Sequence, residues 1–268
     1  MSVPTPVKHL HFASYVGYAP LRDQRLLALR ASDAAHRRHV VDSPTPNEIL
    51  MAGRANVVNL DAMIVRSDFA MEGDEDSTFE SVDTISVRDF MALGLLGSLL
   101  RKPDFQRETN HWTPLQVASL LECFVNGDLI PSVILWKSTS HIFVIDGGHR
   151  LSALKAWITD DYGDGPNSVR LFGNGISTAQ KRAAEKTRKL VSSSVGSWQH
   201  FKQRLDDETL APAERRRVNT VATRALPIQW VKGDADRAES SFFKINTKGT
   251  PLDAIEELLL MNRRKPVS

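Results

Sequence analysis

The sequence predicts an α+β domain over about residues 80–262, and three consecutive features carry that prediction. A capped helical segment begins at Thr113-Pro114. Two short β-rich runs follow at 132–136 and 141–145, separated by a polar turn, which is typical of a β-hairpin. The second run leads directly into Asp146-Gly147-Gly148-His149-Arg150 and then into a helical stretch. The expected architecture is a small mixed sheet surrounded by helices.

The helix after Thr113 has the clearest boundaries. Thr113 suits the N-cap, Pro114 suits the first helical position, and Gln116 can complete a capping box. The apolar residues continue through Phe124, and Asn126-Gly127 provides the expected stop.

Weaker patterns complete the secondary structure. Helical spacing is present over 87–100, and residues 103–107 are expected to be extended. The remaining predictions are strands at 168–172 and 226–231, helices at 21–39, 178–191, 198–205 and from Thr250-Pro251 through Leu260, and an acidic loop at 72–83.

Composition excludes several classes of protein. The chain has 268 residues, a net charge of +2 and one cysteine, Cys123, so an intramolecular disulfide and a thiolate zinc cluster are excluded. There is no signal-peptide core at the N-terminus and no long apolar run, which predicts a cytoplasmic protein without a membrane span.

Charge is unevenly distributed along the chain. Between Asp61 and Asp89, nine carboxylates face two arginines, a local net of −7. Between Ser177 and Lys232, twelve Lys/Arg face five Asp/Glu, a local net of +7. The basic segment fits either a solvated helix surface or contacts with a nucleic-acid backbone.

The turn after the hairpin is a candidate phosphate-binding site. Two glycines permit tight turning and close approach of a ligand, and amides at a helix N-terminus favour an anion. Arg150 could contact phosphate through both guanidinium edges, and His149 could donate to phosphate or transfer a proton. Asp146 could hold Arg150, act as a base or position a metal-bound water. The same spacing also fits a purely structural turn.

The order of elements around this turn carries a family resemblance. Phe105-Gln106-Arg107 precedes the capped helix, and Leu129-Ile130-Pro131 precedes the hairpin and the Asp-Gly-Gly-His-Arg turn. A later element runs from Phe243 to Leu252 and contains Asn246, Lys248 and Gly249. Together these elements resemble the N-terminal domain of GmrSD-type restriction proteins, within the ParB/sulfiredoxin-like superfamily. The resemblance implies a domain at 81–262, an N-terminal extension of unknown role at 1–80 and a tail at 263–268.

The resemblance also implies a nucleoside triphosphate site, with Mg²⁺ as a candidate cofactor. Asp146, His149 and Arg150 are the implied catalytic residues, with Asp146 as the candidate Mg²⁺ ligand. The implied nucleotide-binding residues are Gln106, Arg107, Gly147, Gly148, Arg150, Asn246 and Lys248. One departure is that Gly148 stands where the family usually has Gln, which affects catalysis more than binding. Sulfiredoxin chemistry is disfavoured because its cysteine position is also Gly148.

The leading functional hypothesis is therefore a nucleotide-binding, NTP-hydrolysing and DNA-associated protein of a restriction, modification or phage-defence system. Any nuclease activity would belong to a partner subunit, because no His-Asn-His type signature is present. The alternatives are a non-catalytic DNA-binding or regulatory module of ParB-like type and a ParB-like nuclease. The oligomeric state is not determined by the sequence.

Overall fold

The computed structural model describes residues 57–69, 79–91, 94–106 and 108–246, and of Asn246 it describes the backbone alone. Within these ranges the protein combines a mixed six-stranded sheet with α-helices, which confirms the predicted α+β class. The strands are β1 (Arg66–Ser67), β2 (Thr84–Ser86), β3 (Leu100–Pro103), β4 (Val133–Lys137), β5 (Ile142–Asp146) and β6 (Ala225–Val231).

The strand order in the sheet is β1-β3-β5-β4-β6-β2. β4 and β5 form the predicted antiparallel hairpin, with Leu135 opposite Val144 and Trp136 opposite Phe143. β3 runs parallel to β5, and β6 runs parallel to β4. The hairpin thus forms the centre of the sheet, and β5 delivers the chain from that centre into the glycine turn.

The helices that surround the sheet agree with most of the sequence predictions. They are α1 (Leu95–Leu99), α2 (Pro114–Asn126), α3 (Gly148–Thr159), α4 (Pro166–Phe172), α5 (Thr178–Ser194), α6 (Trp198–Gln203), α7 (Pro212–Thr223) and α8 (Ala235–Asn246). The Thr113–Gln116 capping box at the start of α2 is confirmed, with the Gln116 amide donating to Thr113 Oγ1. Gly127 ends α2 in the left-handed conformation, with φ +83°.

Alternation along the central strands creates two apolar layers. Ile142 and Val144 of β5 face the main core, where they join side chains of α2 and α3. Phe143 and Ile145 face a smaller cluster that includes Phe242 of α8. Because successive strand residues point to opposite faces, each β5 residue belongs to one layer or the other. The tryptophans contribute to the interior: Trp136 and Trp157 are buried, and Trp112, Trp198 and Trp230 pack against the main core.

Two predicted elements were wrong in type. In addition, residues 104–106 were predicted to be extended but form a turn, in which the Gln106 amide donates to the Pro103 carbonyl at 3.1 Å. Residues 168–172 form part of helix α4 rather than a strand. The reason is the buried carboxylate of Asp161, which accepts hydrogen bonds from the amides of Gly163, Gly165 and Ser168 and from the Ser168 hydroxyl. With Pro166 in the first turn, these bonds organise a helix start.

The predicted helix at 87–100 is the second error. The chain instead forms a short 3₁₀ turn at Val87–Phe90, the five-residue α1, and then β3 from Leu100. Ser86 and Asp89 form a capping box at the start of the 3₁₀ turn, so the helical signal at Val87 is real but extends over one turn only. The helical spacing of apolar residues continues past α1. Leu100 nevertheless pairs in parallel with Ile142 of β5, so the chain continues there as a strand of the sheet.

Several predictions lie outside the described residues. These are the helices at 21–39 and from Thr250 to Leu260, together with most of the acidic loop. Residues 57–69, which precede the predicted domain start, supply β1 and the buried side chains of Val58, Leu60 and Met63 to the same core. In the part of the chain that is described, no helix is long and apolar enough to cross a membrane.

Candidate anion-binding site at a strand-to-helix turn

The turn from β5 into α3 has the geometry of an open helix N-terminus. Gly147 occupies the N-cap with φ +93°, and the first α3 backbone bond runs from the Leu151 amide to the Gly147 carbonyl at 3.0 Å. No side chain from the described residues caps α3. The amides before Leu151 are therefore the groups that a bound anion could accept from.

Gly147 is required here for two separate reasons. Its positive φ is strained for a residue with a side chain. In addition, a Cβ at this position would lie 2.7 Å from Val133 Cγ1 and 3.1 Å from the Arg150 guanidinium. The turn consequently keeps its shape only with glycine at this position.

Gly147→Ala is expected to lower the free energy of unfolding by about 2–4 kcal/mol, the sum of left-handed strain and local overpacking. Gly127→Ala is a matched control, because Gly127 has a similar φ of +83° but open space, with Thr220 Cγ2 at 3.8 Å from the added Cβ. Urea unfolding of both variants separates the two causes. Equal losses would show that the contact with Val133 has no energetic role.

Arg150 is held in place by two acceptors at the base of the turn. Its guanidinium donates to Asp146 Oδ2 at 2.7 Å and to the Ser132 carbonyl at 3.1 Å. Among the roles considered for Asp146, the contact with Arg150 is therefore present in the structure. The Arg150 Nε atom is buried and has no hydrogen-bond partner among the described residues.

Gln106 is brought to the turn from the end of β3. A Cβ added to Gly148 would lie 3.7 Å from both Oε1 and Nε2 of Gln106, so the amide side chain lies over the start of α3. The Gln106 carbonyl accepts a hydrogen bond from Arg66 at 3.2 Å. Its Oε1 atom is buried and lacks a partner within the described ranges.

His149 packs against the segment that leads into α2. Its ring stacks on Trp112 with a centroid distance of 5.2 Å and an interplanar angle of 22°, and the His111 ring lies 6.3 Å away. Burial lowers the pKa of His149 to about 4, and the charges of His111, Lys102 and Arg150 act in the same direction. His149 is therefore neutral near pH 7, and its buried Nε2 has no partner in the described part of the chain.

A buried ionic network, which the sequence patterns did not reveal, lies close enough to His149 to affect its pKa. Lys102 is fully buried and donates to Asp61 Oδ1 at 2.5 Å, to the Asp61 carbonyl at 3.0 Å and to Thr109 Oγ1 at 3.1 Å. Arg66 binds the same carboxylate through two nitrogens, at 2.8 and 3.2 Å. The Thr109 amide also donates to Asp61, at 3.0 Å.

The network favours the ionised form of the Asp61 carboxylate. Burial raises the pKa of Asp61, but the charge and hydrogen bond of Lys102 and the Thr109 amide outweigh it and hold the pKa below its usual value. Burial lowers the pKa of Lys102, and Asp61 opposes that shift. One sequence signal could have indicated that Lys102 is buried. It lies two residues after the apolar Leu100, so both side chains project from the same face of β3.

Three predicted site residues cannot be placed by their side chains. Arg107 and Lys248 lie outside the described residues, and Asn246 is the last residue of α8, described by its backbone alone. The end of α8 is nevertheless anchored beside β3. The rings of Phe242 and Phe243 lie 5.1 and 6.0 Å from Phe105, the residue before Gln106.

Metal binding has limited support from side chains. Across the described ranges, no group of three or more His, Cys, Asp or Glu side chains is arranged to hold a metal ion. The assignment of Asp146 as a Mg²⁺ ligand stays a prediction. Its side chain is 36% exposed.

Fold and site together define an α+β domain with a candidate anion-binding turn between a central strand and a helix. Residues 88–263 match the family described as the GmrSD restriction endonuclease, N-terminal domain, and the chain belongs to this family. The family resemblance of the motifs is thereby confirmed, and wider membership of the ParB/sulfiredoxin-like superfamily stays a prediction. No curated protein and no solved structure matches the chain.

Proposed function

We propose that this protein binds a nucleoside triphosphate at the Gly147-Gly148 turn and acts in a DNA restriction or phage-defence system. One observation carries the proposal. Gln106 Oε1, His149 Nε2 and Arg150 Nε are buried at or beside this turn without partners among the described residues. Each such atom costs about 1–3 kcal/mol when it is left unsatisfied, so a ligand that pairs with them is favoured.

The chemical types of these atoms favour a nucleotide over a simple anion. Arg150 Nε is a donor, and neutral His149 can donate through Nε2, so both can serve phosphate oxygens. Gln106 Oε1 is an acceptor and needs a donor, such as a ribose hydroxyl or a base amino group. A ligand with both kinds of group fits this set.

The charges around the turn also suit phosphate. Lys102 and Arg66 contribute two positive charges against the single negative charge of Asp61, while Arg150 and Asp146 balance each other. The net charge of these five groups is +1. Together with the α3 amides, this charge favours a polyanionic ligand.

Hydrolysis of the bound nucleotide is the second step of the proposal. Asp146 Oδ1 makes no hydrogen bond to the described residues, whereas Oδ2 holds Arg150. A single carboxylate fits Mg²⁺ that is held mainly by substrate phosphates, and Mg²⁺ would stabilise the charge on those phosphates. Asp146 would then orient the attacking water. The family name supports the association with DNA restriction. Any nuclease activity would reside in a partner subunit.

A nucleotide titration tests the site directly. With Mg²⁺ present, the wild-type protein should bind at least one of ATP, GTP and CTP saturably. Arg150→Ala should weaken that affinity at least tenfold, because a charge-assisted hydrogen bond contributes about 1.5–3 kcal/mol. Fluorescence anisotropy with labelled nucleotides provides the measurement.

Arg188→Ala is the matched control for that titration. Arg188 forms comparable ion pairs with Asp160 and Asp164, at 2.9 and 2.7 Å, beyond the opposite end of α3. Its removal should leave nucleotide affinity unchanged. Equal affinities of wild type and Arg150→Ala, or no binding of any nucleotide, would refute the proposed site.

Gly148 supports a second candidate function. Because this position has no side chain, the turn lacks one group that could position a ligand or water. In the second candidate the same turn binds a DNA phosphate in a non-catalytic regulatory module. A steep loss of DNA affinity with salt, unaffected by nucleotide, would favour this function over the first.

A ParB-like nuclease ranks below both, because one carboxylate stands at the turn and nucleases commonly use two metal ions.

A further inference from the structure

Many basic residues between Ser177 and Lys232 contact other parts of the protein. Arg188 binds two aspartates, Arg217 donates to the Val195 carbonyl at 2.9 Å, and Arg224 donates to the carbonyls of Cys123 and Phe124. Arg215 likewise donates to the Leu205 carbonyl at 3.1 Å. These cations stabilise the fold, and they account for part of the local positive charge.

The remaining cations are concentrated on α5. The side chains of Lys181, Arg182 and Lys186 are exposed and make no hydrogen bond or ion pair with the residues that the structure describes. Lys189 is also exposed and pairs with Glu185 at 2.7 Å. At about 100° per residue, the four cations and Glu185 fall within roughly 140° of the helix circumference.

The opposite side of α5 is buried. Ala183, Ala184, Thr187 and Val191 are buried there. The basic face is therefore defined by Lys181, Arg182, Lys186 and Lys189, and α5 holds it in a fixed orientation. These residues span about 12 Å along the helix axis, which matches three or four successive phosphates of one DNA strand.

The position of these cations within α5 is unfavourable for the isolated helix. No acidic residue lies in its first turn and no basic residue in its last turn, whereas Lys181 and Arg182 lie near the N-terminus. The helix dipole favours the reverse arrangement by about 0.3–1 kcal/mol per charge. Here the dipole and the side chains add their positive potentials, an arrangement that lowers stability but attracts an anion.

We infer that the basic face of α5 binds the phosphate backbone of duplex DNA. All four cations of this face are exposed, and three of them have no side-chain partner among the described residues. Their alignment on one helix face, and the position of Lys181 and Arg182 near the N-terminal end of the helix, also favour a polyanion. The family name selects DNA as that polyanion. The inference relies on the DNA association in the proposed function and is independent of its nucleotide site.

A salt titration of duplex binding tests the basic face. The probe is a labelled duplex of about 30 base pairs, titrated at roughly 50–300 mM NaCl with wild type and with the triple variant Lys181→Ala, Arg182→Ala, Lys186→Ala. Each lost phosphate contact lowers the slope of log K against log[salt] by about 0.9, so the expected reduction is about 2.7. Affinity at about 100 mM salt should fall at least tenfold. Alanine is the best helix former, so α5 should remain folded.

The control variant removes the same amount of charge from other elements. It carries Lys202→Ala, Arg216→Ala and Lys232→Ala, which are exposed positions of α6, α7 and the segment after β6. It should retain most of the wild-type salt slope. Equal losses in the two variants, or no duplex binding by wild type, would overturn the inference. Nucleotide affinity of the α5 variant should equal that of wild type, so failure here is distinguishable from failure of the nucleotide site.

Discussion

Asp61→Ala is expected to lower the free energy of unfolding by about 3–5 kcal/mol, the largest effect that the structure predicts. The carboxylate neutralises Lys102, which is fully buried, and also binds Arg66 and the Thr109 amide. Without Asp61 the ammonium group stays buried beside a second cation. Urea unfolding near pH 7 provides the measurement.

A double variant and a surface control sharpen that test. Asp61→Ala combined with Lys102→Met removes both buried charges and should be less destabilised than Asp61→Ala alone. Glu185→Ala also breaks an ion pair, with Lys189, but Glu185 is 60% exposed, so the expected loss is much smaller. If Asp61→Ala were no more destabilising than Glu185→Ala, the buried network would contribute little to stability.

His149 is expected to make the protein less stable in mild acid. Its pKa is about 4 in the folded protein, against 6.5 as the ordinary value. As the pH falls below about 6.5, the unfolded chain binds a proton that the folded protein excludes, so the folded state loses stability. The contribution is fully present above pH 6.5 and is lost down to about pH 4. The expected loss is about 2 kcal/mol at pH 5 and about 3 kcal/mol at pH 4.

Comparison with His149→Gln isolates this effect, because glutamine does not titrate. Denaturant unfolding from pH 7 to pH 4 should show the wild type losing more stability than the variant. His200→Gln is the matched control, since His200 is 41% exposed, and its pH dependence should stay close to that of wild type. Parallel pH profiles for wild type and His149→Gln would argue against a buried neutral imidazole.

Local sequence signals determined a large part of this architecture. The helix after Thr113 was predictable because its cap, first-turn proline and terminal glycine act within a few residues. The hairpin and the turn at Gly147 were predictable because alternation, a short polar connection and glycines are also local. The same motifs, taken in order, identified the family, and they brought Gln106, His149 and Arg150 into one hypothesis.

Only the tertiary structure decided the features that depend on contacts between distant residues. Lys102 binds Asp61, which lies 41 residues earlier, and this pairing carries no local signal. The end of the 87–100 segment depends on the pairing of Leu100 with Ile142 of β5, which lies 42 residues later. Burial of Gln106 Oε1 and His149 Nε2 away from any partner in the described ranges likewise follows from packing. Local chemistry therefore determined which segments form helices, strands and turns. Long-range packing decided which charges are buried, which are exposed, and which polar atoms are buried without partners among the described residues.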